Sequence, residues 1–133
     1  MKRPAARSSL VHAAFAFAAM GSWAMFANRE HGVAAMLVGG AVQGALSACI
    51  TLCLKHIIEN LVLMFAGWLS RIMPVIICFL LSLFLLSAIH ILMGTPEVLT
   101  TIAIPLSVST LYAAAYSQAI FRQSVRMDRR TMR

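Results

Sequence analysis

The sequence predicts an all-α membrane protein. Its expected form is four transmembrane helices arranged as two antiparallel hairpins, with an amphipathic interfacial helix between spans two and three. Three observations lead there. The chain is 61% hydrophobic and only 11% charged, where a soluble domain carries about a quarter charged residues. The apolar residues are gathered into four blocks and do not follow an amphipathic period, which is how membrane spans read. The basic residues are Lys2, Arg3, Arg7, Arg29, Lys55, Arg71, Arg122, Arg126, Arg129, Arg130 and Arg133. If the chain crosses four times from a cytoplasmic N-terminus, ten of these 11 fall inside and only Arg29 falls outside, as the positive-inside rule requires.

The first span is expected over about residues 10–27. Ser8 or Ser9 can cap its start by accepting from orphan amides, and Trp23 and Phe26 stand near its far end, where an aromatic belt belongs. Lys2, Arg3 and Arg7 followed by Ala16-Phe17-Ala18 also fit the outline of a cleaved signal peptide. The apolar stretch is longer than a usual signal core, so we read it as a retained span. Asn28-Arg29-Glu30-His31-Gly32 makes a tight outer turn into the second span, about 33–54, which carries no charge. The third span is about 72–93, with Pro74 in its first turn, where a missing amide costs little. Gly94-Thr95-Pro96-Glu97 forms the second outer turn, and the fourth span follows over about 98–121. Residues 1–133 are read as one polytopic domain.

Residues 55–71 separate the two hairpins. On a helical wheel at about 100° per residue, Lys55, His56, Glu59, Asn60, Ser70 and Arg71 share one half, while Ile57, Ile58, Leu61, Val62, Met64, Phe65, Trp68 and Leu69 fill the other. This pattern predicts a helix lying in the cytoplasmic interface, or an extension of span two. Lys55, Glu59, Phe65, Trp68 and Arg71 are its marker residues.

Within the spans, two stripes stand out. Gly40, Gln43, Gly44, Ser47 and Thr51 fall on one face of span two, with Ala48 at its edge. Small residues at this spacing let another helix backbone come close, and Gln43 can hydrogen-bond across the contact. Span four carries Thr110, Ser117 and Gln118 on one face, a candidate polar path. Pro105 sits inside that span and removes the hydrogen bond to the carbonyl of Thr101. His90 lies about one turn from the outer end of span three and is expected to be a satisfied interfacial histidine. Glu30, His31 and Glu97 are expected to share the outer surface. Cys49, Cys53 and Cys78 all lie in apolar segments and are read as small hydrophobes.

These readings favour some function classes over others. The net charge of +7 flanks apolar spans, so it predicts contact with anionic lipid head groups, through Arg122, Arg126, Arg129, Arg130 and Arg133, and no nucleic acid. Deep acids, which proton-coupled transporters use, are missing from the four apolar blocks. No catalytic set, phosphate loop, metal motif or cofactor motif is recognised. The expected function is therefore a non-enzymatic accessory or assembly subunit of a bacterial inner membrane, with both termini cytoplasmic. It would pack with partner membrane proteins in a larger complex or with itself as a homo-oligomer. The alternative is a small oligomeric transporter or a flippase for lipid or lipid-linked glycan.

Overall fold

A computed structural model describes the backbone of residues 4–131 and the side chains of residues 10–123. The described residues form α1 (Pro4–Ala27), a short 3-10 turn (Arg29–His31), α2 (Val33–Met64), α3 (Leu69–Leu92) and α4 (Val98–Thr131), with no strand among them. Four stretches in these helices are long and apolar enough to cross a membrane: Leu10–Ala27, Val33–Met64, Leu69–Leu92 and Val98–Gln123. Each connection between helices contains one glycine with positive φ, Gly32 at 89°, Gly67 at 61° and Gly94 at 65°. A side chain there would be strained, so these three residues set where the chain reverses.

The segment between spans two and three differs from the expectation of a separate helix over about 55–71. α2 runs unbroken for 32 residues to Met64, or about 48 Å at 1.5 Å per residue. Nothing from Leu54 to Met64 breaks a helix, whereas Phe65 turns extended (φ −111°, ψ 149°) and Gly67 reverses the chain. Only residues 65–68 lie between α2 and α3. The amphipathic pattern has a different cause. Ile58 and Val62 are buried inside the bundle, while Lys55 and His56 face outward. The apolar side thus packs on neighbouring helices. Among the marker residues, Trp68 is exposed, and Phe65 and Arg71 are half-buried.

α2 is the centre of the arrangement and touches α1, α3 and α4. α1 packs chiefly on α2. A Cβ added to Gly21 would lie 2.9 Å from the Gly40 carbonyl oxygen, and one added to Gly44 would lie 2.9 Å from the Phe17 carbonyl oxygen. Gly21 thus stands against Gly40 and Phe17 against Gly44. α3 buries every fourth residue: Ser70, Pro74, Cys78, Ser82, Leu86 and His90. α4 contributes Thr101, Pro105, Ala113 and Ser117 to the interior. Most of these residues are small, which allows the close helix contacts that dispersion and hydrogen bonding require where lipid supplies no hydrophobic drive.

The interior has two halves. Towards the chain's tails, Leu54, Ile58, Val62, Cys78 and Ala113 form an apolar cluster, flanked by Ile50, Ile57, Leu61, Tyr116 and Ile120. Towards the two short turns, the polar residues Asn28, Gln43, His90, Thr95 and Thr101 are buried beside Ala24, Leu86 and Ile102. Large apolar side chains such as Phe15, Phe84, Leu99 and Leu111 point outward.

Candidate functional site

The two-turn end holds the chemistry. Asn28 ends α1 and is fully buried. Its Nδ2 donates to the Ala24 carbonyl at 2.9 Å and to Thr101 Oγ1 at 2.8 Å, and its Oδ1 accepts from the Glu97 amide at 3.1 Å. A carbonyl can only accept and an amide N–H can only donate, so the side chain has a single orientation that satisfies both. One residue thus closes the end of α1 and takes up an orphan amide at the start of α4. Replacing Thr101 by Val keeps the shape and removes one acceptor. The expected loss is about 1 kcal/mol, read from reversible unfolding in mixed micelles.

A second chain of hydrogen bonds lies beside it. Gln43 Nε2 donates to Ser47 Oγ at 2.8 Å, and Gln43 Oε1 faces His90 Nε2 at 2.8 Å. His90 Nδ1 meets Thr95 Oγ1 at 2.8 Å, and the Thr95 amide bonds the His90 carbonyl at 2.9 Å. With the Gln43 oxygen on the ring, Nε2 carries the proton and Nδ1 accepts from the Thr95 hydroxyl. Gly39 stands between the two chains. A Cβ there would lie 3.2 Å from Asn28 Nδ2 and 3.9 Å from Thr95 Cγ2. Its missing side chain lets both networks approach α2.

Above them, His31 Nε2 and Glu97 Oε1 pair at 3.1 Å across the two turns. Trp23 Nε1 donates to the Thr100 carbonyl at 3.0 Å, tying α1 to α4. Arg29 pairs with Glu30 at 3.1 Å and lies over the Phe26 ring at 4.1 Å. Among the described residues, no three His, Cys, Asp or Glu side chains converge as a metal site.

The predicted stripe on α2 divides. Gly40 and Gly44 lie against α1, at Gly21 and Phe17, while Gln43 turns to α3 and Ser47 accepts from it. Thr51 bonds its own helix at Ser47 O, 2.7 Å, and Ala48 is half-buried. On α4, Thr110 donates back to Leu106 O at 2.7 Å. Gln118 is half-buried, and the buried Ser117 hydroxyl has no partner among the described residues. At the tail end, Tyr116 OH donates to Glu59 Oε1 at 2.6 Å. Lys55 and His56 flank the same carboxylate at 4.0 and 3.6 Å, and Arg71 lies over the Phe121 ring at 5.2 Å. Arg122 is exposed. The side chains of Arg126, Arg129, Arg130 and Arg133 lie outside the described residues.

All three cysteines line one apolar groove of about 120 Å³ between α2 and α3. Cys49, Cys53 and Leu54 form its α2 wall, and Cys78, Ser82 and Leu85 its α3 wall.

Sequence reading placed Gln43 and His90 but left them unconnected. It gave Asn28 and Thr95 only as turn residues and Thr101 only for its carbonyl. Their one signal is chemical: polar residues directly beside apolar spans, where an unpaired group is costly.

No family model, curated protein or solved structure matches the chain.

Proposed function

We propose that this chain is a small integral membrane protein that acts without catalysis, as an assembly subunit packing with a partner membrane protein or with itself. The observation that carries the reading is how the interior is used. Asn28, Gln43, His90, Thr95 and Thr101 bind one another, and the interior below them is packed by Leu54, Ile58, Cys78 and Ala113. What the bundle offers its surroundings is therefore its apolar outer surface and its basic tail end.

In a bilayer the helices form two hairpins, α1–α2 and α3–α4. The distribution of Lys and Arg puts the two-turn end outside and both termini in the cytoplasm of a bacterial inner membrane. α4 has 34 residues, or about 51 Å, against a hydrocarbon core of about 30 Å. Its last turns project from the membrane, and in this reading the basic residues of the C-terminal sequence, Arg122, Arg126, Arg129, Arg130 and Arg133, serve anionic head groups or an acidic partner. A residual amphipathic role at the interface falls to Phe65 and Trp68.

Crosslinking in native membranes, then affinity capture and mass spectrometry of a C-terminally tagged chain, tests the proposal. A larger membrane protein recovered in stoichiometric amount is the expected result. Recovery of a discrete homodimer alone would leave only packing with itself, and recovery of the chain as a lone monomer would overturn the proposal.

A second reading, a lipid transporter or flippase, draws on one feature. The groove between α2 and α3 is apolar, which suits an acyl chain. A stable homodimer together with headgroup-specific lipid movement in vesicles would favour it.

A further inference from the structure

The buried histidine can do something that a purely structural polar pair does not. Both ring nitrogens of His90 are engaged, and the residue is fully buried. In the neutral network every contact joins a donor to an acceptor. A second ring proton on Nδ1 can still be accepted by the Thr95 oxygen once that hydroxyl rotates, so hydrogen bonding alone does not oppose it. What changes is charge, because the ring acquires a full positive charge inside the bundle.

The charged groups around it do not offset that charge. α1 brings Asn28 to this end, and α2 brings Gln43 and Ser47, none of which ionises. The 3-10 turn brings Arg29, Glu30 and His31, of which Arg29 and Glu30 pair with each other and His31 pairs with Glu97. α3 has no acidic residue, and Glu97, just before α4, binds His31 and Thr100. No carboxylate lies within ion-pairing distance of His90 among the described residues. A buried imidazolium without a counter-charge is unfavourable.

We propose that His90 makes the two-turn end an acid-sensitive latch. While the ring is neutral it fastens α3 and the Gly94–Glu97 turn to Gln43 on α2. When the ring takes a second proton, its uncompensated charge is relieved only by reaching water, and the turn that carries Thr95 then releases the first turn of α4. The release reaches α1 because Glu97 N is held by Asn28 and the Thr100 carbonyl by Trp23. A histidine that reaches water changes charge between about pH 5 and 8, so the proton is taken up as the latch opens and then holds it open. The latch does not depend on which partner the bundle has.

Trp23 is a built-in reporter. The chain has two tryptophans, and Trp68→Phe leaves Trp23 alone. In lipid nanodiscs, iodide quenching of Trp23 is followed between about pH 7.5 and 5, across the range where histidine titrates. The expected result is a reversible rise in quenching on acidification that disappears in His90→Gln and persists in His31→Gln. His90→Lys, permanently charged, should be open at neutral pH. Should that variant fail to insert, His90→Gln still decides. A wild-type signal unchanged across the range would overturn the proposal, and so would a transition that survives in His90→Gln.

Discussion

Gly44→Ile should detach α1 from α2 and destabilise the bundle by about 3 kcal/mol, the upper end of what overpacking costs. The argument rests on what a side chain would meet. A Cβ at Gly44 would lie 2.9 Å from the Phe17 carbonyl oxygen and 3.1 Å from two atoms of its ring. The ring can rotate, but the carbonyl is backbone and moves only if α1 moves. Removing a glycine from a helix interior returns about 1 kcal/mol, so Gly44→Ala should come out near neutral or mildly destabilising. Ile adds two branches to the same clash, and there overpacking wins. Gly40→Ala provides a contrast, because its first obstacle is the Met25 side chain at Cγ and the backbone oxygen of Gly21 comes next, at 3.1 Å. Unfolding by SDS in mixed micelles would rank the three variants. If Gly44→Ile were as stable as wild type, the α1–α2 contact would be wrong. Loss of partner capture in this variant would follow from damage within the chain, so a partner surface must be mapped elsewhere.

The same contact shows what sequence can and cannot carry. The spans were legible because a 20-residue apolar block has few alternatives in water or lipid. The boundaries at Gly32 and Gly94 were legible because glycine and proline mark reversals. The end of α2 was not. Lys55, His56 and Glu59 looked like the start of an interfacial helix, yet helix continuity depends on the backbone, and nothing before Phe65 interrupts it. The small-residue stripe was legible as a face but not as two contacts. Gly40 and Gln43 differ by about 60° around the helix, enough to point one at α1 and the other at α3. Asn28 and Thr101 are 73 residues apart, and no local period connects them. Their pairing exists only once two turns have been brought to one end, so it belongs to tertiary structure.

The polar chain across α2 and α3 should behave as one unit. His90→Leu removes the partner of Gln43 Oε1 and of the Thr95 hydroxyl, and it leaves both buried. Orphaning a buried polar group costs about 1–3 kcal/mol in proteins, whereas interhelical hydrogen bonds measured in a membrane protein average only about 0.6 kcal/mol. The difference lies in the reference state, since a group with lipid around it finds other partners when helices separate. Gln43 has less freedom than most. It is fully buried, and after His90→Leu its Oε1 has lost its partner, because the Ser47 hydroxyl at 2.8 Å is bonded by Nε2. We therefore expect His90→Leu to cost about 2 kcal/mol, towards the orphaning limit. Gln43→Leu should cost a similar amount, because the His90 Nε2 proton then faces an apolar side chain. The double variant removes both ends of the bond and leaves no orphan between them. Its loss should fall below the sum of the two single losses by about 1 kcal/mol. A double-variant cycle in mixed micelles measures this coupling directly. Strictly additive losses would mean that the 2.8 Å contact between Gln43 and His90 does not hold α2 to α3, and that the two residues are buried for separate reasons.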